Sequence, residues 1–166
     1  MQKPLGLIVL FLVFVTVAPL SWAAELKVSH TDPEWGEGRG DVPKKGLCSR
    51  QRGDNLSPAL AVSGIPKNAQ TLRLMFTDDN YGSEGGHGDF ILKLNGESEI
   101  NIPSFKDGSL PSNMVGGKGH HCSVCPEDDY LGPCSGGRGH TYRVNIHALD
   151  SKNKVITKTT IVLGKF

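Results

Sequence analysis

The stretch GPCSGGRGH, residues 132–140, sets glycines 132, 136, 137 and 139 around a cysteine, an arginine and a histidine. It runs directly into the alternating stretch TYRVNIHAL. Glycine-rich backbone can turn consecutive N–H groups into a concave nest for an anion, and Arg138 and His140 add a cation and a donor. The same composition also serves an ordinary hairpin or Ω-type loop whose glycines only satisfy turns. It is not a dinucleotide or Walker loop, because no strand closely precedes it and no helix follows.

A second cluster, HHCSVC, brings His120, His121, Cys122 and Cys125 together as potential metal ligands. C-x-x-C is also a redox spacing, but no βαβ pattern surrounds it, and Pro126 stands where haem attachment needs a histidine. In an exported protein these cysteines read first as structural disulfides, with a metal site and a labile redox pair as the other readings. Asp78 and Asp79 end an alternating run at a loop, where a carboxylate can face a pocket or simply shape a turn. Asn55-Leu56-Ser57 matches a glycosylation sequon followed by Pro58. Neither G-x-S-x-G nor H-E-x-x-H occurs, so no catalytic residue is expected.

The elements that must position these residues begin after residue 23. Lys3, the apolar run Leu5–Ala18, and the small residues Ser21 and Ala23 form a signal-peptide layout over residues 1–23. The run is short for a membrane span, so no transmembrane segment is expected after cleavage. Residues 24–166 suit one domain. Without Lys3 they carry 17 basic and 17 acidic residues, which excludes a global field for nucleic acid. All four cysteines lie in this exported part, and an even count favours two bridges with three pairings open.

Residues 24–70 show little periodicity, and 24–47, rich in Gly, Pro and charge, reads as a loose N-terminal segment. TLRLMFT alternates, with Leu72, Leu74 and Phe76 on one side. Asn95-Gly96 lies between FILKL and ESEINIP, the favoured two-residue hairpin signal. TYRVNIHAL puts Tyr142, Val144, Ile146 and Ala148 on one face, and VITKTTIVL supplies a β-branched last strand after DSKNK. No capped amphipathic helix appears. The fold expected is mainly β, an antiparallel β-sandwich with long Gly-rich loops.

Two stretches carry a family resemblance. GDNLSPALAVSGIPKNAQTLRLMFTDDN, 53–80, resembles the bacterial, Raf-kinase-inhibitor-like branch of the phosphatidylethanolamine-binding protein family. YLGPCSGGRGHTYRVNIHALD is similar to the same family's G-P-C loop and H-R-Y strand, and INIPSFKDGSLPSN resembles the link between them. The resemblance implies a β-sandwich with a small pocket at one end. Its ligand-binding set would be Asp78, His87, Gly132, Pro133, His140 and Tyr142, with loop N–H groups, imidazoles and a phenol as donors to phosphate oxygens. It further implies a Cys48–Cys134 bridge, leaving Cys122–Cys125 as a short local one. The chain is a divergent member: Asp78-Asp79-Asn80-Tyr81-Gly82 replaces the family's D-P-D-A-P, and Ser135-Gly136 replaces two prolines. His87 in GGHGDF is the candidate for the histidine of its H-W strand. The usual C-terminal helical part is not seen, and the sequence ends in a strand.

The function expected is an exported, non-enzymatic binding protein, periplasmic or secreted, that takes a small anion or phospholipid headgroup without a cofactor or metal. The alternatives are a protein-interaction module meeting a protease, and a structural envelope sandwich whose pocket has degenerated. HALDSKNKVITKTTIVLGKF also reads as the last hairpin of an immunoglobulin-like domain.

Overall fold

A computed structural model describes residues 25–35, 40–82, 84–106, 108–116 and 130–166. The leader, residues 1–23, and the HHCSVC cluster with Cys122–Cys125 lie outside the described residues. Eight strands are present among the described residues: β1 (Lys27–His30), β2 (Leu60–Ser63), β3 (Thr71–Asp78), β4 (Gly88–Lys93), β5 (Glu99–Ile102), β6 (Met114–Gly116), β7 (Thr141–Leu149) and β8 (Val155–Lys165). They form two antiparallel sheets, ordered β1-β2-β5 and β6-β4-β3-β7-β8. Helical structure among the described residues is confined to single 3-10 turns.

The alternation read in β3 and β7 sets the core. Leu72, Leu74 and Phe76 face Ala148, Ile146 and Val144 in register, all of them buried, against Leu60, Val62 and Ile102 of the smaller sheet. Met75 and Thr77, on the opposite face of β3, are buried as well. The turn before β4 folds over them, and the Gly85 N–H donates to Thr77 Oγ1 at 3.0 Å. Also on that face, Arg73 donates to the buried Asp89 from Nε, at 2.9 and 3.2 Å to its two oxygens, and from Nη2 at 2.5 Å.

Two expectations are corrected. Asn95-Gly96 does not close a hairpin, because β4 belongs to the large sheet and β5 pairs with β2 in the small one. Gly96 has φ +92°, so the dipeptide does turn the chain, but at a corner between sheets. Leu94 N–H bonds to Gln70 on one side of that corner and Ile65 N–H to Ser98 on the other. Two-residue turn chemistry specifies a reversal and leaves the pairing partner to burial. The segment 24–47 is not loose where it is described: it supplies β1 and buries Leu26, Trp35, Val42 and Leu47. Val42 N–H bonds to the Lys165 carbonyl, which pins the segment to the end of β8.

An aromatic cluster lies where the two sheets meet the 130–140 segment. Phe76 meets Phe90, Phe105 and Tyr130 edge-on at centroid distances of 6.0, 6.1 and 4.9 Å. Such pairs each contribute about 0.5–1.5 kcal/mol beyond their burial. Tyr130 is thereby the fixed root of the glycine-rich loop that follows.

Candidate functional site

Antiparallel register places Asp78, the last residue of β3, directly beside Tyr142 near the start of β7. Both side chains are buried. Asp78 Oδ1 accepts the Asn80 N–H at 2.9 Å, an Asx-type turn, and Oδ2 lies 2.7 Å from His140 Nδ1. An ionised carboxylate only accepts, so His140 carries its proton on Nδ1 and keeps Nε2 for another partner. The neighbouring Asp79 is turned to Arg143 and plays no part in the pocket.

The Tyr142 hydroxyl accepts the Cys134 N–H at 3.3 Å and the Ser135 N–H at 3.1 Å. Burial pushes its pKa up; those two bonds pull it down, and the nearby Asp78 charge pushes it up again. The donors expected for an anion are therefore engaged: the phenol oxygen already sits where the Cys134 and Ser135 amides converge. Ser135 Oγ in turn donates to the Phe166 main-chain oxygen.

His87, read from an out-of-register stretch, does reach the site. Its Nδ1 lies 2.8 Å from the Leu131 carbonyl, which can only accept, and the Leu131 N–H returns a bond to the His87 carbonyl at 3.0 Å. The ring meets Tyr142 edge-on at 5.2 Å.

Gly132 and Pro133 act differently from the expectation. They do not line the cavity but dock the loop against residues 46–48. A Cβ at Gly132 would fall 2.2 Å from the Gly46 carbonyl oxygen, so only glycine allows this approach. The Pro133 carbonyl accepts the Cys48 N–H at 3.1 Å, and Cys48 and Cys134 form the expected disulfide with Cα atoms 5.4 Å apart. Asn55 completes the clamp: Nδ2 donates to the Tyr130 carbonyl and Oδ1 accepts the Gly132 N–H, both at 2.6 Å. Its φ is +54°, a region Asn tolerates better than most residues. Sequence reading noted Asn55 only as a sequon; with both ends of its amide bonded to the loop, it is a structural clamp.

Asp78, His87, His140 and Tyr142 thus converge on one cavity of about 190 Å³, whose wall also includes Arg138 and Tyr81. Arg138 is exposed and Tyr81 is 75 % exposed, so both stand at the rim. Arg138 was legible as a loop cation; Tyr81 carried no signal beyond its place after Asp78. Among the described residues no three His, Cys, Asp or Glu side chains gather as a metal centre.

No family model matches the chain. It is 30% identical over 116 residues to a UPF0098 protein of Methanothermobacter thermautotrophicus, covering 68% of this chain and 71% of the relative. Its fold matches that of Escherichia coli YbcL, a member of the mammalian PEBP family, with TM-score 0.61 and 18% identity over 84% of this chain and 96% of that one. It also matches CT736 of Chlamydia trachomatis, a PEBP homologue, with TM-score 0.63 and 18% identity over 86% and 97%. Both solved structures are similar in fold, and the sequence relative covers most of the domain. The chain belongs to the phosphatidylethanolamine-binding protein family.

Proposed function

We propose that this protein is an exported, non-enzymatic binding protein whose cavity takes a small anion, free or as a phospholipid headgroup. The observation that carries the reading is the convergence of Asp78, His140 and Tyr142 on one small cavity with Arg138 in its wall. At about 190 Å³ the space equals roughly six water volumes, below the range of drug-sized sites, and suits a phosphate-sized group. Arg138 supplies a permanent positive charge. His140, bonded through Nδ1 to Asp78, adds a second polar group to the same wall.

The candidate nucleophiles in the wall are both occupied, which supports binding without chemistry. Cys134 is in a disulfide and Ser135 Oγ donates to a main-chain oxygen rather than to a base. The disulfide also supports export to an oxidising compartment, periplasmic or extracellular. No helix among the described residues is long and apolar enough to cross a membrane.

Calorimetric titration with inorganic phosphate and with phosphoethanolamine tests the reading. Saturable binding of either, lost in Arg138→Gln, supports it; equal heats from wild type and variant would remove it. A protein partner is the second reading, favoured by the exposed Tyr81 beside Arg138, two residue types that dominate interface hot spots. Tyr81→Ala separates the two, because it should leave phosphate binding intact and abolish capture of a protease-type partner.

A further inference from the structure

β8 is the outer edge of the five-stranded sheet, and its two halves are treated differently. Near its end, residues 40–42 cover it, and His30 Nε2–H donates to the Val162 carbonyl at 3.2 Å. Val162 therefore faces away from β7. Strand alternation turns the main chains of Thr160 and Lys158 outward too, while Ile161, Thr159 and Thr157 bond to β7. Among the described residues no main-chain partner meets the N–H or C=O of Lys158 or Thr160. Both residues are exposed. The sequence here, Val155-Ile-Thr-Lys-Thr-Thr-Ile161, is β-branched at every position but Lys158 and has no proline. A uniformly β-prone edge of this kind is a template for another strand.

We propose that this edge pairs with the same edge of a second copy of the chain. The two β8 strands run antiparallel about a two-fold axis at Thr159 and join two five-stranded sheets into one. In that register Lys158 of each copy meets Thr160 of the other, so the four outward N–H groups and four outward C=O groups exchange four hydrogen bonds. Thr159 faces its own symmetry mate, and Thr157 faces Ile161. Centring the axis on Lys158 instead would oppose two lysines, which cross-strand pairing disfavours. The His30 bond at Val162 stops the pairing and so fixes its length. The side chains are self-complementary, and a chain with a formal charge of +1 adds little repulsion between copies. A second copy therefore fits this edge better than a charged foreign strand.

Sedimentation velocity across a concentration series tests this. The wild type should shift from monomer to dimer as concentration rises. Thr160→Pro deletes an outward main-chain N–H, which an edge strand tolerates, together with the exposed hydroxyl that bonds Asn145, and should stay folded with dimerisation weakened at least about tenfold. Thr160→Val loses the hydroxyl that bonds Asn145 but keeps the N–H, and should dimerise like wild type. Amide exchange at Lys158 and Thr160 should slow on going from dilute to concentrated protein, a readout that stands even if the proline variant fails to fold. A monomer at every concentration, concentration-independent exchange at these two amides, or a folded Thr160→Pro that dimerises normally would each overturn the proposal.

Discussion

Replacing Asn55 should loosen the rim of the pocket from a distance, and the cost can be worked in parts. Asn55→Gly removes both 2.6 Å bonds to the Tyr130 carbonyl and the Gly132 N–H but keeps a residue at ease with φ +54°. Each lost bond costs about 0.5–1.5 kcal/mol, and leaving the amide of the buried Gly132 unpaired adds about 1–3 kcal/mol. The parts sum to about 2–6 kcal/mol. Asn55→Ala should cost about 1 kcal/mol more, because a Cβ resists the left-handed region. Urea unfolding measures both variants, and amide exchange at Leu131–Ser135 reports whether the loss is local. A loss below about 0.5 kcal/mol for Asn55→Gly, or equal stability of the Gly and Ala variants, would refute the clamp.

Three further outcomes follow from the same geometry. Burial holds the His30 pKa below its ordinary value, and its Nδ1 is enclosed without a partner. The unfolded chain thus takes up the proton first, so stability should fall as pH drops below about 6.5 and stop falling once the folded-state imidazole has titrated. Urea midpoints between pH 8 and 4 should show that slope, reduced in His30→Gln; His147, also lowered by burial, contributes in the same direction and is separated by its own NMR titration. Tyr142→Phe should uncover the Cys134 and Ser135 amides, costing about 1–2 kcal/mol and speeding their exchange; unchanged exchange would deny the phenol its place. Replacing both Cys48 and Cys134 with serine opens a bridge spanning 86 residues, so thermal unfolding should show a loss of about 2–5 kcal/mol. A double variant as stable as wild type would mean the bridge is not formed in solution.

What could be read in the sequence followed the range of each interaction. β3 and β7 were legible because alternation is local, and β8 because its run is β-branched; Leu72, Phe76, Val144 and Ile146 face the core as their spacing required. Trp35 and Val42 gave no signal: single apolar residues in a Gly- and Pro-rich segment have no period, and only β8 and the core define their place. Asn95-Gly96 announced a turn correctly and its strand partner wrongly, since pairing is decided by β2, more than thirty residues away. At the site, Asp78, His140 and Tyr142 came from resemblance, and the β3–β7 register explains why they meet. The two roles missed, Asn55 as clamp and Tyr142 as the guest of the loop amides, are hydrogen bonds that form only after the 130–140 segment has docked.

The central claim is that the cavity at the β3–β7 end binds a small anion beside Arg138 and His140. Titration of labelled protein with inorganic phosphate, followed by NMR, tests it most directly. The account predicts saturable shifts at Arg138, His140 and Tyr142 that are lost in Arg138→Gln. Shifts that avoid these residues, or that survive unchanged in the variant, would contradict it.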